Sequence, residues 1–467
     1  MRLARLLRRL SSKPSPFCHK VIRYGKKGRG GSSDDMHSQN VDITALACDS
    51  RAVMPGCLFV AIDGTKAKGS DFIDQAIRKG AAGIVTANSM ASSLEAGVPV
   101  IQFPDTRYAL AVLADEFFGH PSGKLKVAGV TGTNGKTTVT YLTRCILEKA
   151  NFSCGIIGTI NHSFKDKIIP AGNTTPGPLE LQSLLSQMCK AGCDYCIMEV
   201  SSHSLDQKRT AGIDFKAAIF TNLTHDHLDY HLNLENYFSA KRKLFEQLNE
   251  RAFSIINADD PYAVRLKSLK RGKLITYGID SSDVDIRATN LRMNLAGCRF
   301  ILNTKKRKTK IKTGLIGRHN VSNILAAAAF ALSQKIDLSR IASAVENFNG
   351  VRGRLERIEA KERNVFVDYA HTPDAFLNVL GTLRNLSKHN LIVVFGCGGE
   401  RDNLKRPLMG KIAQEYADKI IITSDNPRSE DPQKIANDIV SGMEGSNYKL
   451  ILGRKEAIEY GLSASKP

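Results

Sequence analysis

The sequence predicts an α/β protein of three α/β domains, with a parallel sheet and a phosphate-binding loop in the central one. Three observations support this prediction. The 467 residues exceed what one hydrophobic core usually supports. Short apolar strands alternate with helical stretches along most of the chain. A glycine-rich turn, TGTNGKTT at 131–138, follows one of these strands and leads into a helix-like stretch.

The first predicted domain spans residues 1–122. Its opening decapeptide MRLARLLRRL is basic and amphipathic, and it lacks the uninterrupted apolar run of a secretory signal. We therefore predict a first helix that buries one apolar face, made of Leu3, Leu6, Leu7 and Leu10. A loop is predicted at 25–35, where the sequence is GKKGRGGSSDD. The strands CLFVAI, AGIVTA and VPVIQF then alternate with helical stretches, as in a small α/β unit.

The central domain is predicted at 123–349 and the third at 350–467. Strands buried on both faces of a parallel sheet read as continuous apolar runs. The central region has five such runs: VAGVTG, CGIIGT, CDYCIMEV, AAIFTNL and AFSIINADD. In the third region the predicted strands are NVFVDYA, NLIVVFG, KIIITSD and YKLILG, which indicate a Rossmann-like domain.

The net charge of +20 has two readings. Nucleic-acid binding is one, although the sequence has no recognisable nucleic-acid motif. Acidic small-molecule substrates are the reading we prefer, because a positive field attracts them equally. Much of the excess lies in the first thirty residues and in KKRKTKIK at 305–312. The second stretch alternates Lys with Thr and Ile, so it predicts a solvated strand or hairpin rather than a binding arm.

The ten cysteines form no disulfide or zinc framework. Cys193 and Cys196 make a lone CxxC that runs into an apolar strand, and no second pair stands near it. Reduced, mostly buried thiols in a cytoplasm are the expected state. No apolar run approaches the roughly 20 residues of a membrane-spanning helix, so no membrane insertion is expected.

The glycine-rich turn predicts an ATP site. Backbone N–H groups of such a turn point at a phosphate, and the next helix directs its positive end there. Lys136 is placed to reach the β- and γ-phosphates, and the Thr137 hydroxyl is placed to bind Mg²⁺. The usual GxxxxGK[ST] spacing is not met, because Val130 holds the first glycine position and Gly129 comes one residue early. The residues assigned to ATP in this turn are Gly132, Thr133, Asn134, Gly135, Lys136, Thr137 and Thr138.

Candidate metal ligands follow two of the predicted strands. Glu199 comes directly after the apolar run in IMEVSSH, and Asn222, Asp226 and His227 follow the next run. Carboxylate oxygen suits Mg²⁺, whereas histidine is an unusual ligand for it. Each residue alone is open to a simpler reading, with Glu199 as a helix cap and His227 as a surface histidine. Their shared position at the ends of strands favours an active site.

An ordered series of motifs carries a family resemblance. The motifs are TGTNGKTT, MEVSSH, FTNLTHDHLDYH, NVSNILAA, RGRLE, VDYAHTPDA, FGCGGERD and DNPR. Together they resemble the Mur ligases of peptidoglycan synthesis, and among them the enzymes that add the third amino acid. The resemblance runs from about Cys48 to the end of the chain. The one-residue-longer phosphate turn is the form that this family has.

The resemblance implies a fold, a reaction and its participants. ATP, with Mg²⁺, phosphorylates the free carboxylate of UDP-N-acetylmuramoyl-L-alanyl-D-glutamate. The amine of the incoming amino acid then attacks the acyl phosphate and releases phosphate. A cytoplasmic monomer without a nucleic-acid partner is expected.

The resemblance also implies roles in ATP and metal binding. The implied catalytic residues are Lys136, Glu199, His227 and Lys241. The implied metal ligands are Thr137, Glu199 and His227. The resemblance implies that Asn320, Arg354 and Asp368 make the remaining contacts to the nucleotide. Lys241 matches the lysine that family members carbamylate to N6-carboxylysine, and the carbamate would bind a second ion. The spacing of Lys241, Arg242 and Lys243 fits a solvated helix face equally well.

The nucleotide-sugar substrate is assigned to a further set of positions by the same resemblance. These are Ser50, Thr65, Lys66, Ala67, Asn173, Thr174, Thr175, Ser201, Gln207 and Arg209. Two minor departures occur: no acidic residue precedes NTT, and Cys48 stands where leucine is usual.

One stretch of the sequence indicates which amino acid is added. It is SDNPRSEDP at 424–432. Family members that add meso-diaminopimelate carry DNPR, and the arginine fork suits the second carboxylate of that amino acid. The implied diaminopimelate site comprises Arg401, Asp425, Asn426, Pro427 and Arg428. Addition of L-lysine is the alternative. Without the resemblance, Arg428 would be read as a loop arginine paired with Glu430 or Asp431.

The chain stops at SASKP, where the family continues into a strand and a KGHE-like loop. We therefore expect a truncated third domain. Two other function classes stay open on this ground: a catalytically impaired nucleotide-binding homologue, and a nucleotide-binding regulator. A folylpolyglutamate synthetase shares the phosphate turn, but DNPR and the DSR segment before the central domain are not expected of it.

Overall fold

The computed structural model describes residues 1–12, 22–24, 41–64, 67–87, 97–360, 363–387, 389–400 and 402–465. The strands in these ranges form sheets of five, eleven, two and three strands. The α/β prediction is confirmed. The loop predicted at 25–35 lies outside the described residues. None of the described helices is long and apolar enough to cross a membrane.

The first sheet contains the strands predicted near the amino terminus. Its elements are α1 Leu3–Ser12, β1 Ile22–Tyr24, β2 Ala45–Ala47, β3 Cys57–Val60, α2 Ile73–Arg78, β4 Gly83–Thr86, β5 Val100–Gln102 and α3 Thr106–Phe117. The strand order is β1-β5-β4-β3-β2, and β2 to β5 run parallel. The predicted face of α1 is confirmed, because its four leucines are buried in one cluster with residues of α3.

The central sheet is the largest. The elements that build it and cover it are α4 Pro121–Lys124, β6 Lys126–Thr131, α5 Lys136–Lys149, β7 Cys154–Ile157, β8 Asn161–Phe164, β9 Lys167–Pro170, α6 Pro178–Lys190, β10 Tyr195–Glu199, α7 Ser202–Asp206, β11 Phe215–Phe220, α8 Leu228–His231, α9 Leu234–Glu246, β12 Phe253–Asn257, α10 Ala263–Lys267, β13 Lys273–Gly278, β14 Ile286–Asn294, β15 Gly297–Thr304, β16 Lys308–Thr313, α11 Arg318–Ser333 and α12 Leu338–Glu346. The five predicted apolar runs correspond to β6, β7, β10, β11 and β12.

The order of the central strands determines where a site forms. The strand order is β16-β15-β14-β13-β12-β11-β6-β10-β7-β8-β9. The seven neighbouring strands β14, β13, β12, β11, β6, β10 and β7 run parallel. Helices α5 and α11 cover one face, while α6 and α9 cover the other. Since β6 lies between β10 and β11, the loops after these three strands meet at one edge. Ligands of open α/β sheets bind at such an edge.

The basic stretch at 305–312 forms the turn between β15 and β16 and most of β16. Lys308, Lys310 and Lys312 are exposed, while Ile311 is buried. The predicted solvated hairpin is therefore confirmed. The predicted burial of Cys193 and Cys196 is confirmed as well, and both are free thiols.

The third region contains β17 Glu356–Ala360, β18 Arg363–Val367, α13 Pro373–Leu386, β19 Ile392–Phe395, α14 Lys405–Tyr416, β20 Lys419–Ile422, α15 Pro432–Val440, β21 Tyr448–Leu450 and α16 Arg454–Ala464. The strands β19, β20 and β21 form a parallel sheet. The NVFVDYA strand, β18, pairs instead with β17 in an antiparallel ribbon. Its residues are half-buried or exposed, so it lacks the continuous burial of a central parallel strand. The domain boundaries after residues 122 and 349 stay predictions.

Candidate active site

The loop between β6 and α5 has a backbone that only glycine fits at two places. Gly132 has φ 147°, and a Cβ there would overlap the Thr221 hydroxyl. Gly135 has φ 88° and caps α5, and a Cβ there would overlap the Asn323 side chain. Because Thr221 and Asn323 approach these glycines closely, the loop is held in one shape at the amino end of a 14-residue helix. This arrangement suits a bound phosphate.

Lys136 is the first residue of α5, and its side chain folds back over the loop. The Nζ atom donates to the carbonyl oxygens of Gly132 at 2.9 Å and of Thr133 at 2.7 Å. Burial lowers the pKa of Lys136, although Glu199 and Asp226 oppose this effect. The amine therefore lies against the loop in which a phosphate would bind.

Glu199 lies at the end of β10, facing the loop, and is almost fully buried. Its Oε2 atom accepts hydrogen bonds from the Thr137 hydroxyl at 3.0 Å and from the Thr159 hydroxyl at 2.9 Å. Its Oε1 atom accepts from the Thr159 backbone N–H at 2.8 Å. The predicted pair of Thr137 and Glu199 thus comes together. Thr159 is a member of this network that the sequence did not indicate.

The oxygen donors of Thr137 and Glu199 fit Mg²⁺, which prefers one or two carboxylates together with phosphate oxygens and water. The described residues contain no cluster of three or more His, Cys, Asp or Glu that could hold a metal by itself. A protein site of two oxygen ligands, completed by a nucleotide, is consistent with both observations.

Lys241 on α9 is 2% exposed, and its Nζ atom donates to the Gly132 carbonyl oxygen at 2.8 Å. The amine also lies 4.1 Å from the centre of the Tyr237 ring. Burial lowers the pKa of Lys241 well below its usual value, and Lys136 adds to the effect. The solvated-face reading is therefore wrong for Lys241. A neutral buried amine is the form that reacts with CO₂, and the carbamate stays a prediction.

His227 lies in the loop after β11 with φ 54°, and its Nε2 atom is 3.4 Å from Asp226. Burial lowers the pKa of His227 to about 3, which keeps the ring neutral. Burial alone would raise the pKa of Asp226, but the electrostatic effect of His227, His371, Lys136 and Lys241 holds it below its usual value. The His227 ring contacts those of His203 and Tyr237, at centroid distances of 4.9 and 6.1 Å. His227 thus shares the Lys241 side of the loop.

Residues of the third region also reach the phosphate loop. Asp374, in the first turn of α13, accepts hydrogen bonds from Asn134 Nδ2 at 2.8 Å and from the Thr224 hydroxyl at 3.2 Å. Arg354 Nη2 lies 3.5 Å from the Thr137 hydroxyl, and its guanidinium lies over the Tyr369 ring at 4.8 Å. Asp374 was missed at the sequence level, because it is 240 residues from its partner Asn134.

Two other residues assigned to the nucleotide make hydrogen bonds to the protein backbone. Asn320 is buried near the start of α11 and donates to the Ile316 carbonyl at 2.8 Å. Asp368 follows β18 and accepts from the backbone N–H groups of Leu355 at 2.6 Å and Ala370 at 2.7 Å. Burial raises the pKa of Asp368, although these two bonds oppose the effect. Asp368 thus fixes the backbone next to Arg354.

The residues assigned to the nucleotide-sugar substrate form a network around Glu199. The Thr174 hydroxyl lies 3.0 Å from the Thr159 hydroxyl, and the Thr175 hydroxyl donates to the Glu199 carbonyl at 2.9 Å. Five hydrogen bonds connect the set: Ser201 N to Thr175 Oγ1 at 3.1 Å, Thr175 Oγ1 to Ser201 Oγ at 3.4 Å, Arg209 Nη1 to the Thr175 carbonyl at 2.8 Å, and Arg209 Nη2 and Nε to Gln207 Oε1 at 2.7 and 3.1 Å. Asn173 is exposed on the same loop.

Of the positions predicted in the first domain, the structure describes Ser50 and Ala67. The Ser50 hydroxyl is buried and donates to Gln75 Oε1 at 2.6 Å. Ala67 is exposed, and its carbonyl accepts from the Gly64 N–H at 3.0 Å. Thr65 and Lys66 lie outside the described residues.

The DNPR segment lies in the loop after β20. Arg428 has φ 52° and donates to the Gly399 carbonyl, and Gly399 N donates to the Asn426 carbonyl at 2.9 Å. The alternative pairing of Arg428 with Glu430 or Asp431 is wrong: among the described residues Arg428 makes no ion pair, Glu430 pairs with the fully buried Arg406 at 2.9 Å, and Asp431 caps α15. Arg401 lies outside the described residues.

Asp425 and Pro427 flank Asn426 on the same loop. Asp425 Oδ1 lies 4.0 Å from Arg454, and a Cβ at Gly399 would overlap the Pro427 carbonyl. This close approach fixes the DNPR segment against the 398–400 turn.

A phosphate loop that faces a buried carboxylate across a parallel sheet defines a nucleotide-binding α/β protein. Three family models match the chain: the Mur ligase family catalytic domain at residues 42–118, the Mur ligase middle domain at 130–331, and the Mur ligase glutamate ligase domain at 353–467. The chain belongs to the Mur ligase family.

The chain is also similar to individual proteins and solved structures. UDP-N-acetylmuramoyl-L-alanyl-D-glutamate--2,6-diaminopimelate ligase of Geobacillus thermodenitrificans is 44% identical over 436 residues, covering 91% of this chain and 88% of that protein. A solved structure of an enzyme with the same name has a TM-score of 0.70 at 32% identity, covering 96% of this chain and 92% of the other. Folylpolyglutamate synthase of Mycobacterium tuberculosis, solved with ADP, has a TM-score of 0.64 at 16% identity, covering 76% of this chain and 88% of the other. The last likeness concerns the fold alone.

Proposed function

We propose that this chain is an ATP-dependent ligase that adds meso-diaminopimelate to UDP-N-acetylmuramoyl-L-alanyl-D-glutamate in peptidoglycan synthesis. The observation that carries the proposal is that Glu199 connects the phosphate loop with the NTTPG segment at 173–177, through hydrogen bonds to Thr137 and Thr175. The names of relatives at 44% identity support the choice of substrates. The reaction belongs in the cytoplasm, where ATP is available, and we expect a monomer to carry it out.

The reaction needs ATP because a carboxylate is a poor electrophile. Its leaving group would be oxide, whereas phosphorylation supplies a good leaving group. The amine of the incoming amino acid then forms the amide bond as phosphate departs. The protein contributes by positioning the reactants and by neutralising charge on the transferred phosphoryl group.

The phosphate loop and its neighbours perform that neutralisation. Lys136 exchanges its two loop carbonyls for phosphate oxygens, and Arg354 approaches from the third region. Thr137 and Glu199 would hold Mg²⁺, which would supply Lewis-acid stabilisation of phosphate charge. Lys241, whose amine donates to the Gly132 carbonyl oxygen, would as a carbamate hold a second metal ion, and His227 would be a further metal ligand.

The acceptor and the amino acid are held by different parts of the chain. Thr174, Thr175, Ser201 and Arg209 present polar groups beside Glu199, so the glutamyl carboxylate of the substrate is directed at the phosphate loop. The 425–428 segment holds diaminopimelate, with Arg428 facing its distal carboxylate. Residues 1–122 hold the uridine nucleotide, residues 123–349 hold ATP and residues 350–467 hold the amino acid.

A phosphate-release assay tests the proposal. We expect release from ATP that requires both the nucleotide-sugar dipeptide and diaminopimelate, with little activity when L-lysine replaces diaminopimelate. Lys136→Ala should lower turnover roughly 100-fold or more, because it removes a charge aimed at the phosphates. The matched control is Lys149→Ala, at the exposed end of the same helix. Release that is indifferent to either substrate, or tight ATP binding without release, would instead indicate a nucleotide-binding regulator.

A further inference from the structure

The outward face of the β14–β16 antiparallel meander is strongly basic. Cross-strand register assigns the residues of this face, because directly opposed residues point to the same side. Its cations are Arg287, Arg292, Arg299, Lys308, Lys310 and Lys312. The other positions of the face are Thr289, Asn294, Gly297, Ile301 and Asn303, so these described residues include no carboxylate. All of the cations except Arg287 are exposed.

The arrangement opposes like charges within the sheet. Arg299 is directly opposite Arg292 on one neighbouring strand and Lys312 on the other. Like charges in directly opposed positions destabilise a sheet. The opposite face of the same strands is buried against α11 and α12, and its apolar residues account for the folding of the meander. The like charges on the basic face therefore reduce the stability of the sheet, and folding of the meander does not require them.

Internal ion pairs neutralise only the margin of this surface. Lys312 pairs with Glu346 at 3.0 Å, and Arg287 donates to two backbone carbonyls. Among the described residues, Arg292, Arg299, Lys308 and Lys310 make no ion pair. Four unpaired cations thus remain on one exposed surface.

This surface is remote from the candidate active site. Five strand spacings separate β15 from β6, or about 24 Å at roughly 4.8 Å each. Among the described residues, none of the six cations makes a hydrogen bond or ion pair with a residue assigned to ATP, the nucleotide sugar or the amino acid. The proposed ligase reaction therefore does not explain the basic face.

We propose that the outward face of β14–β16 docks on an anionic lipid surface. Charge complementarity supports a polyanion, and three features of the face favour lipid over nucleic acid. The cations form a two-dimensional array without a groove, and the face has no aromatic side chain on which bases could stack. Three strands side by side are also wider than the two-stranded ribbon that a DNA major groove admits.

Vesicle flotation with the intact chain tests this proposal. The probes are vesicles of phosphatidylcholine alone and vesicles that contain phosphatidylglycerol as about a third of the lipid. We expect binding only to the anionic vesicles, weakening as salt rises. The test variant is R292Q/R299Q/K308Q/K310Q. Each basic residue near an anionic surface contributes about 5-fold in affinity, so the variant should bind roughly 100-fold or more weakly.

A matched variant separates the face from net charge. K149Q/K190Q/R251Q/K411Q removes the same four charges from exposed positions elsewhere and should retain the binding of the parent protein. Both variants should keep the parent ligase rate in solution. Equal loss of vesicle binding in the two variants, or no binding by the parent chain, would overturn the proposal. Displacement from vesicles by duplex DNA at equal phosphate concentration would overturn it in favour of nucleic acid.

Discussion

Replacing Asp374 with alanine removes the side chain by which α13 contacts the phosphate loop. Its carboxylate accepts from Asn134 at 2.8 Å and from Thr224 at 3.2 Å, and both hydrogen bonds are partly buried. Loss of these bonds should loosen the third region from the loop while leaving the fold of each intact. We therefore expect the amino acid to be presented less often to the activated carboxylate.

The size of the effect follows from the two hydrogen bonds. Each bond to a charged group contributes about 1.5–3 kcal/mol when buried, and partial solvent access reduces this to about 1 kcal/mol each. A total of about 2 kcal/mol corresponds to roughly a 30-fold loss in kcat/KM for diaminopimelate. ATP affinity should change much less, because Lys136, Thr137 and the loop backbone are untouched.

A double-mutant cycle measures the interaction itself. Asp374→Ala, Asn134→Ala and the double variant are compared by phosphate release at varied diaminopimelate, and we expect a coupling energy of about 1 kcal/mol. Asn385→Ala, at an exposed position of the same helix, is the control and should behave as the parent protein. A coupling energy below about 0.3 kcal/mol would show that the two side chains act independently, because independent sites add within that range.

Three further predictions concern separate parts of the chain. Arg428→Ala should raise the KM for diaminopimelate roughly 30-fold and leave that for ATP unchanged, because a fork to a carboxylate is lost; equal losses would contradict the assignment. With ¹³C-bicarbonate, NMR should detect a carbamate that Lys241→Arg abolishes and Lys243→Arg retains, because Lys243 is partly exposed and pairs with Asp206 at 2.8 Å; retention in both variants would place it elsewhere. Burial lowers the pKa of His231 to about 4, so its neutral form stabilises the fold above pH 6.5, and this contribution of about 1–3 kcal/mol is lost as the pH falls toward 4. Urea unfolding should show a shallower loss over that range for His231→Gln; an identical slope would refute this source.

The sequence predicted the central strands and the edge at which their loops meet. Continuous apolar runs located β6, β10 and β11, and the residues that follow them converge in the structure. Glu199 could be assigned because it ends one of these runs directly. The signal is strong here because burial on both faces selects a continuous run of mainly apolar residues along each strand.

Contacts between distant segments could not be predicted in the same way. Asp374 and Asn134, or Tyr237 and Thr133, are polar pairs without periodicity, and only the packed chain brings them together. The spacing around Lys241 was equally compatible with an exposed helix face, and its burial depends on the Gly132 loop. The pairing of β18 was not predictable either, because half-buried residues do not specify which strand lies beside them.

The central claim is that ATP converts the glutamyl carboxylate into an acyl phosphate. The most direct test labels both oxygens of that carboxylate with ¹⁸O and follows one round of ligation by mass spectrometry of the released phosphate. An acyl-phosphate intermediate leaves one ¹⁸O atom in each phosphate and one in the new amide. Phosphate without ¹⁸O, released together with the amide product, would contradict it.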